Sequence, residues 1–366
     1  MATPRIRVGQ ALANAFNRSI DRCVLSRAGC REYSVAGAGG TTALIKQLRE
    51  RTGAPMKDVK AILQQCGWDP EAAFTELRKK GLATASKKAG RVAADGLLGV
   101  AQEGRTAAVV EINSETDFVA RNDLFQHLVS QVAKAALAVH PLPTSPWEAD
   151  IISVDALRDV KVELRHPKLQ GESTVQEAVA EVGSIMGENV RLRRGFKMTS
   201  SSSGVLCSYL HSTAQPGLAR IVGLLTLEPE EKAEGTPVAE LEALGSSLTM
   251  HVVAQRPLFL SKETISAEAL HRERDILKSQ ALASGKPEKF VEKMVDGRIR
   301  KYMEDVALLE QKYVLEDTKT VQGVLNDFSK QLGGKYTIGR FLRMEVGEGI
   351  ERIEKNFASE VAAQAA

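Results

Sequence analysis

The chain has 366 residues, 43% of them hydrophobic and 26% charged, a soluble globular composition with enough apolar residues for a sizeable core in two or three domains. No run approaches the roughly 18 consecutive apolar residues of a membrane-spanning helix, so no membrane partner is expected. The formal charge of +3 is unevenly placed: residues 1–40 carry six Arg and two acids, a balance of +4, which leaves −1 for the rest and argues against direct nucleic-acid binding.

The first forty residues are Arg-rich and contain Ser19, Ser26 and Ser34, and Val8, Leu12, Phe16 and Ile20 recur four apart along one potential helix face. This pattern reads as a mitochondrial presequence; a chloroplast transit peptide and a disordered basic arm are the alternatives. Arg31-Glu32-Tyr33-Ser34 suits processing between Tyr33 and Ser34. Cys23 and Cys30 would leave with the presequence, and Cys66 and Cys207 are then read as buried reduced thiols rather than a disulfide framework.

After the small-residue stretch Ala36 to Gly40 the period becomes helical. Leu44, Ile45 and Leu48 share a face of a first helix that stops at Gly53, and Val59, Ile62 and Leu63 a face of a second that stops at Gly67. Asp69 caps a third, with Pro70 at its first position, Phe74 and Leu77 inside and Gly81 as the stop. The unit resembles the ubiquitin-associated fold, a docking module rather than an enzyme. Lys79, Lys80, Lys87, Lys88 and Arg91 then read as a solvated basic connector.

From Gly96 a hairpin turns at Glu103-Gly104 and continues over Ala107 to Ile112, followed by a helix from Asn122 with Phe125, Leu128, Val129 and Val132 on one side. The order recurs: a strand from Gly204, a turn at Pro216-Gly217, a strand from Arg220 to Leu227 and a helix over 237–254. Between these units lie a Pro-rich loop, a polar insertion, a helix from Val175 to Met186, and a strand from Arg191 to Met198 expected beside the second hairpin. Residues 264–305 read as an antiparallel helical hairpin broken at Ser284-Gly285-Lys286-Pro287. A strand over 341–346 and an amphipathic helix over 350–363 close the chain.

The fold class expected is α+β: a three-helix N-terminal domain, a duplicated core with small antiparallel sheets, an inserted helical hairpin and a C-terminal helix. By residue, 1–40 is the presequence and linker, 41–83 the three-helix domain, 84–92 the connector, 93–183 the core N-subdomain with its long loop and 184–263 the core C-subdomain. The helical hairpin takes 264–305, a return segment 306–336, and a C-terminal strand and helix module 337–366.

Catalytic motifs are missing from the sequence: there is no phosphate loop with its Lys, no metal-binding His pair and no nucleophile elbow. The six His are scattered, and Gly347 and Gly349 suit a strand-to-helix turn better than a phosphate site. The segment that stands out is 113–122, between strand and helix. Two readings compete for it. Thr116 or Asp117 caps the helix while Phe118 folds back as a hydrophobic staple, or the adjacent acid and aromatic form a wedge on a sheet-edge turn.

Four stretches, among them Thr116-Asp117-Phe118-Val119-Ala120-Arg121 and Met186-Gly187-Glu188-Asn189, resemble the elongation factor Ts family in its mitochondrial form. The others are the run from Ile45 to Ala54 and the run from Arg343 to Glu351. The resemblance spans about 42–363, interrupted at 138–174. It implies a guanine-nucleotide exchange factor that acts by binding, with no catalytic residues and no cofactor or metal of its own. The implied partner is mitochondrial elongation factor Tu, whose Mg²⁺ site the wedge Thr116, Asp117, Phe118 and Val119 disturbs so that GDP leaves. Lys60, Met186, Gly187, His211, Val314 and Leu315 are implied further partner contacts, although Lys312-Tyr313 departs from the bacterial Gln-Pro-Phe pattern. The helical hairpin resembles the bacterial dimerisation module, and a homodimer is left open. The rival functions are a ubiquitin-associated-like adapter and a ribosome- or RNA-binding factor. Against the first, Gly53-Ala54-Pro55-Met56 replaces the usual Met-Gly-Phe loop; against the second, no aromatics interleave with the basic connector.

Overall fold

The computed structural model describes residues 38–351 apart from 53, 89, 231–237 and 284–287. The presequence, its cut at Tyr33-Ser34 and all but the first two positions of the expected tail helix lie outside the described residues.

Three helices open the fold: α1 (Ala38–Thr52), α2 (Met56–Gln65) and α3 (Pro70–Lys88). Leu48, Val59, Ile62, Leu63, Ala73 and Leu77 form their small core, the face that helical spacing picks out. Asp69 caps α3 through its Oδ1, which accepts from the backbone N–H of Glu71 at 2.9 Å. Gly67 takes the left-handed φ of 62° that ends α2.

The core begins with the hairpin β1 (Asp95–Glu103) and β2 (Thr106–Ser114), then the single-turn α4 (Asp117–Ala120) and α5 (Asp123–Ala136). Next come β3 (Asp150–Ile152), α6 (Val154–Arg158), β4 (Lys161–His166), β5 (Leu169–Thr174), α7 (Val175–Met186) and β6 (Arg191–Thr199). The second hairpin is β7 (Val205–Gln215) and β8 (Leu218–Pro229), covered by α8 (Val238–Gln255). Helices α9 (Ala267–Ala283) and α10 (Glu288–Val306) pair through Ala281, Val291 and Val295, with Leu277 and Ile299 alongside. The chain returns through β9 (Lys312–Tyr313), β10 (Glu316–Thr320), α11 (Val321–Leu332) and β11 (Tyr336–Glu345).

The two hairpin units meet in one antiparallel sheet, ordered β11-β8-β1-β2-β6-β3 with β7 also on β8. Their seam is narrow, with only Leu98 opposite Ala219 and Gly99 opposite Leu218. The expected small antiparallel sheets are therefore the halves of this sheet, together with the hairpins β4-β5 and β9-β10. Strand β2 is buried on both faces: Ala108, Val110 and Ile112 pack under α5 and α7, and Ala107 and Val109 join the opposite core.

Several expectations need correction. Strand β6 lies beside β2 of the first hairpin, not beside the second, which covers the otherwise open edge of the deeply buried β2. The polar insertion contains the hairpin β4-β5, whose Val162 and Leu164 turn inward between exposed neighbours. Gly81 does not stop α3, which runs on into the expected connector. It lies where α3 crosses α7, and a side chain there would collide with Ser184. The crossing is reinforced by Arg78 and Glu181, 2.8 Å apart, with the Glu181 side chain largely buried.

Gly223 of β8 shows how tightly helix and sheet are packed. A Cβ there would stand 2.8 Å from Val253 Cγ2, 2.9 Å from Thr249 Cγ2 and 3.0 Å from the Thr249 carbonyl of α8. Gly223→Ala is expected to cost about 1–3 kcal/mol in a chemical denaturation experiment. Gly297, at an exposed position of α10 with nothing within 4 Å of an added Cβ, is the contrasting case. Gly297→Ala should stabilise by about 0.5–1 kcal/mol. Equal effects at the two positions would contradict this packing account.

Candidate functional site

Strand β2 ends at Ser114, still fully buried, and the chain comes out to the surface only in the turn that follows. That turn enters α4, where Val119 and Ala120 are 7% and 4% exposed and belong to the core under the sheet. One position earlier on the helix, Phe118 points away from that anchor and is 77% exposed, the most exposed large apolar side chain among the described residues. Removing such a ring from water is worth about 1.5–3 kcal/mol, a gain left for a partner. Beside it, Asp117 Oδ2 accepts from Arg121 Nη2 at 2.7 Å. That pair is exposed, so it is worth at most about 1 kcal/mol and leaves the carboxylate free to exchange partners at little cost.

The cap-and-staple reading is thereby corrected. Helix α5 is capped by Asn122, whose Oδ1 accepts from Leu124 N at 2.9 Å. The Thr116 hydroxyl makes no cap; it donates to Glu188 Oε1 at 2.6 Å. Glu188 Oε2 also accepts from the backbone N–H groups of Glu115 and Thr116, at 3.1 and 3.0 Å. Gly187, in left-handed conformation with φ 75°, ends α7 and turns the chain toward this contact. Met186 and Gly187 immediately precede Glu188, the residue bonded to the turn at 115–116. Lys60 is exposed on α2, His211 is exposed on β7 with its ring 6.3 Å from Tyr209, and Val314 and Leu315 are exposed between β9 and β10.

The last of these turns has its own support. Val314 N donates to His251 Nδ1 at 3.2 Å, and His251 Nε2 lies 3.0 Å from Gln311 Oε1. Burial pushes the His251 pKa down, so the ring is neutral, with its proton on the nitrogen facing Gln311.

On β2, Glu111 is fully buried. Its carboxylate accepts from Arg193 at 3.0 Å, Arg194 Nε at 2.6 Å, Asn113 at 3.0 Å and the backbone N–H of Gly347 at 2.8 Å. The glycine-containing turn at 346–349 thus docks on a carboxylate of the protein itself. Cys207 is buried, its thiol pushed up to about 11 by that burial, whereas Cys66 is only half-buried. Among the described residues no group of three or more His, Cys, Asp or Glu is arranged to hold a metal ion, and no helix is long and apolar enough to cross a membrane.

Residues 115–348, from the wedge to the docked turn, match the family model described as Elongation factor TS. The chain is 54% identical over 320 residues to "Elongation factor Ts, mitochondrial" of Zea mays, covering 87% of this chain and 83% of the relative. The chain belongs to the elongation factor Ts family. The mitochondrial elongation factor Ts of Ricinus communis is 54% identical over 323 residues, covering 88% of this chain and 85% of the relative. Elongation factor Ts of the bacterium Rhodospirillum rubrum is 45% identical over 324 residues, covering 88% and 98%. The chain is a translation elongation factor of mitochondria, and the α+β architecture accords with its family. The residue types single out Asp117 and Phe118, whereas the Glu188 contact with the turn before them leaves no mark in local spacing, since Thr116 and Glu188 are 72 positions apart.

Proposed function

We propose that the chain binds mitochondrial elongation factor Tu in its GDP form and drives nucleotide exchange, with Asp117 and Phe118 as the wedge that disturbs the partner's Mg²⁺ site. The observation that carries this reading is the pair itself: a bare aromatic ring and a lightly held carboxylate, on a turn anchored from below by Val119 and Ala120.

The work is done by binding alone. Inserting the Phe118 ring supplies apolar free energy, and the Asp117 carboxylate competes for the cationic surroundings of the nucleotide. Mg²⁺ bridges and neutralises phosphate oxygens, so weakening its support loosens GDP. Linkage is reciprocal: the chain weakens GDP by the same factor that GDP weakens the chain. Each ~1.4 kcal/mol of coupling is worth about a factor of ten in affinity, and GTP completes the cycle by displacing the chain.

A direct nucleic-acid role is not proposed. Lys79 pairs with Glu76, Lys80 with Asp58 and Arg91 with Glu115, and Lys88 donates to the Gly187 carbonyl, so these four cations already have acceptors within the chain. The reading is tested by following fluorescent GDP leaving mitochondrial elongation factor Tu as the chain is added. Release is expected to rise with concentration to a plateau. Release at the spontaneous rate, at every concentration, overturns the reading.

A further inference from the structure

We propose that Glu188 is a positioning residue for the wedge, a role that rests on the exchange reading above. Helix α4 has only four residues, too few to hold its own direction in water. The burial of Val119 and Ala120 fixes one side of it. Direction also needs a second anchor at its N-terminal end, and Thr116, at the cap position, makes no side-chain cap bond there.

Glu188 supplies that anchor. One carboxylate takes three hydrogen bonds from two successive residues, the N–H of Glu115, the N–H of Thr116 and the Thr116 hydroxyl. The contact is answered from the other side, since Glu115 Oε1 accepts from the backbone N–H of Asn189 at 2.6 Å. Asn189 Nδ2 in turn donates to the Arg91 carbonyl at 2.8 Å, and Lys88 Nζ to the Gly187 carbonyl at 2.6 Å. Two carboxylates therefore cross between the wedge turn and the end of α7, each bonded to the other segment's backbone. Such charge-assisted bonds are stronger and more directional than neutral ones. With the clasp intact, Asp117 and Phe118 meet the partner already oriented. Without it, their ordering falls on the step in which the wedge enters, while the first encounter, made by other surfaces, is spared.

The test compares wild type, Glu188→Ala and Glu188→Gln in the GDP-release assay, separating the plateau rate from the half-saturating concentration. The Ala variant is expected to lose the plateau rate by about tenfold or more with little change in half-saturation. Gln keeps an acceptor for the backbone N–H groups and a donor for the Thr116 oxygen, so it should restore most of the rate. Amide hydrogen exchange at Glu115 and Thr116 of the free chain should quicken in the Ala variant and not in the Gln variant. Glu115→Ala, which removes the answering bond from Asn189 N, gives the same comparison should Glu188→Ala fail to fold. An Ala variant with wild-type plateau, an effect confined to half-saturation, or a Gln variant as poor as Ala overturns the proposal. No acceleration by wild type instead defeats the exchange reading, and the amide arm then decides the clasp by itself.

Discussion

Glu111→Ala is expected to lower the stability of the core by about 3–5 kcal/mol, the cost of breaking a buried charge cluster from one side. Truncation takes the acceptor of the Gly347 N–H and of Arg194 Nε, and one of the two acceptors of the Asn113 amide, which keeps the Asp95 carbonyl. It also unties the turn at 346–349, which Arg193 and Arg194 otherwise hold through the carbonyls of Glu348 and Glu345. Burial alone would raise the Glu111 pKa. The bonds from Gly347, Asn113 and Arg194 together outweigh it, and the pKa lies below the ordinary 4.5. The sign follows: with the folded pKa below the unfolded one, the contribution is complete above about pH 4.5 and is lost as pH falls through the folded value. Urea midpoints measured from neutral pH downward should show the gap between wild type and variant closing only on the acid side of that value. A variant as stable as wild type at neutral pH would contradict the network.

The parts of the fold legible in the sequence are those set by local period. Leu48, Val59, Ile62 and Leu63 recur at helical spacing and form the small helical core, and Leu277, Ala281, Val291 and Val295 do the same in α9 and α10. Pairing between distant segments was not legible. Strand β6 pairs antiparallel with β2 only after the chain has passed through α5, β3, the β4-β5 hairpin and α7, a long-range pairing that no local pattern encodes. The β4-β5 hairpin did carry a signal in the alternation of Val162 and Leu164, masked by its charged neighbours. A glycine at a helix crossing, as Gly81 is, and a glycine at a helix stop look the same in sequence without the opposing Ser184. At the site, the exposed acid and ring could be picked out as residue types, but the carboxylate that orients them could not.

Asp117→Ala/Phe118→Ala bears on the central claim most directly, and its expected effect on function is the largest here. Neither side chain belongs to a buried cluster, and the Asp117–Arg121 pair contributes at most about 1 kcal/mol, so the fold is kept. The function should not survive. Removing the ring forfeits about 1.5–3 kcal/mol of burial against the partner, worth roughly tenfold to a hundredfold, and removing the carboxylate adds to that loss. The measurement is stopped-flow release of fluorescent GDP from mitochondrial elongation factor Tu, with saturating wild type or double variant, alongside complex formation by the same proteins. Fast release by wild type, lost in a variant that still forms the complex, is the result predicted. Release by the variant as fast as by wild type would contradict the wedge.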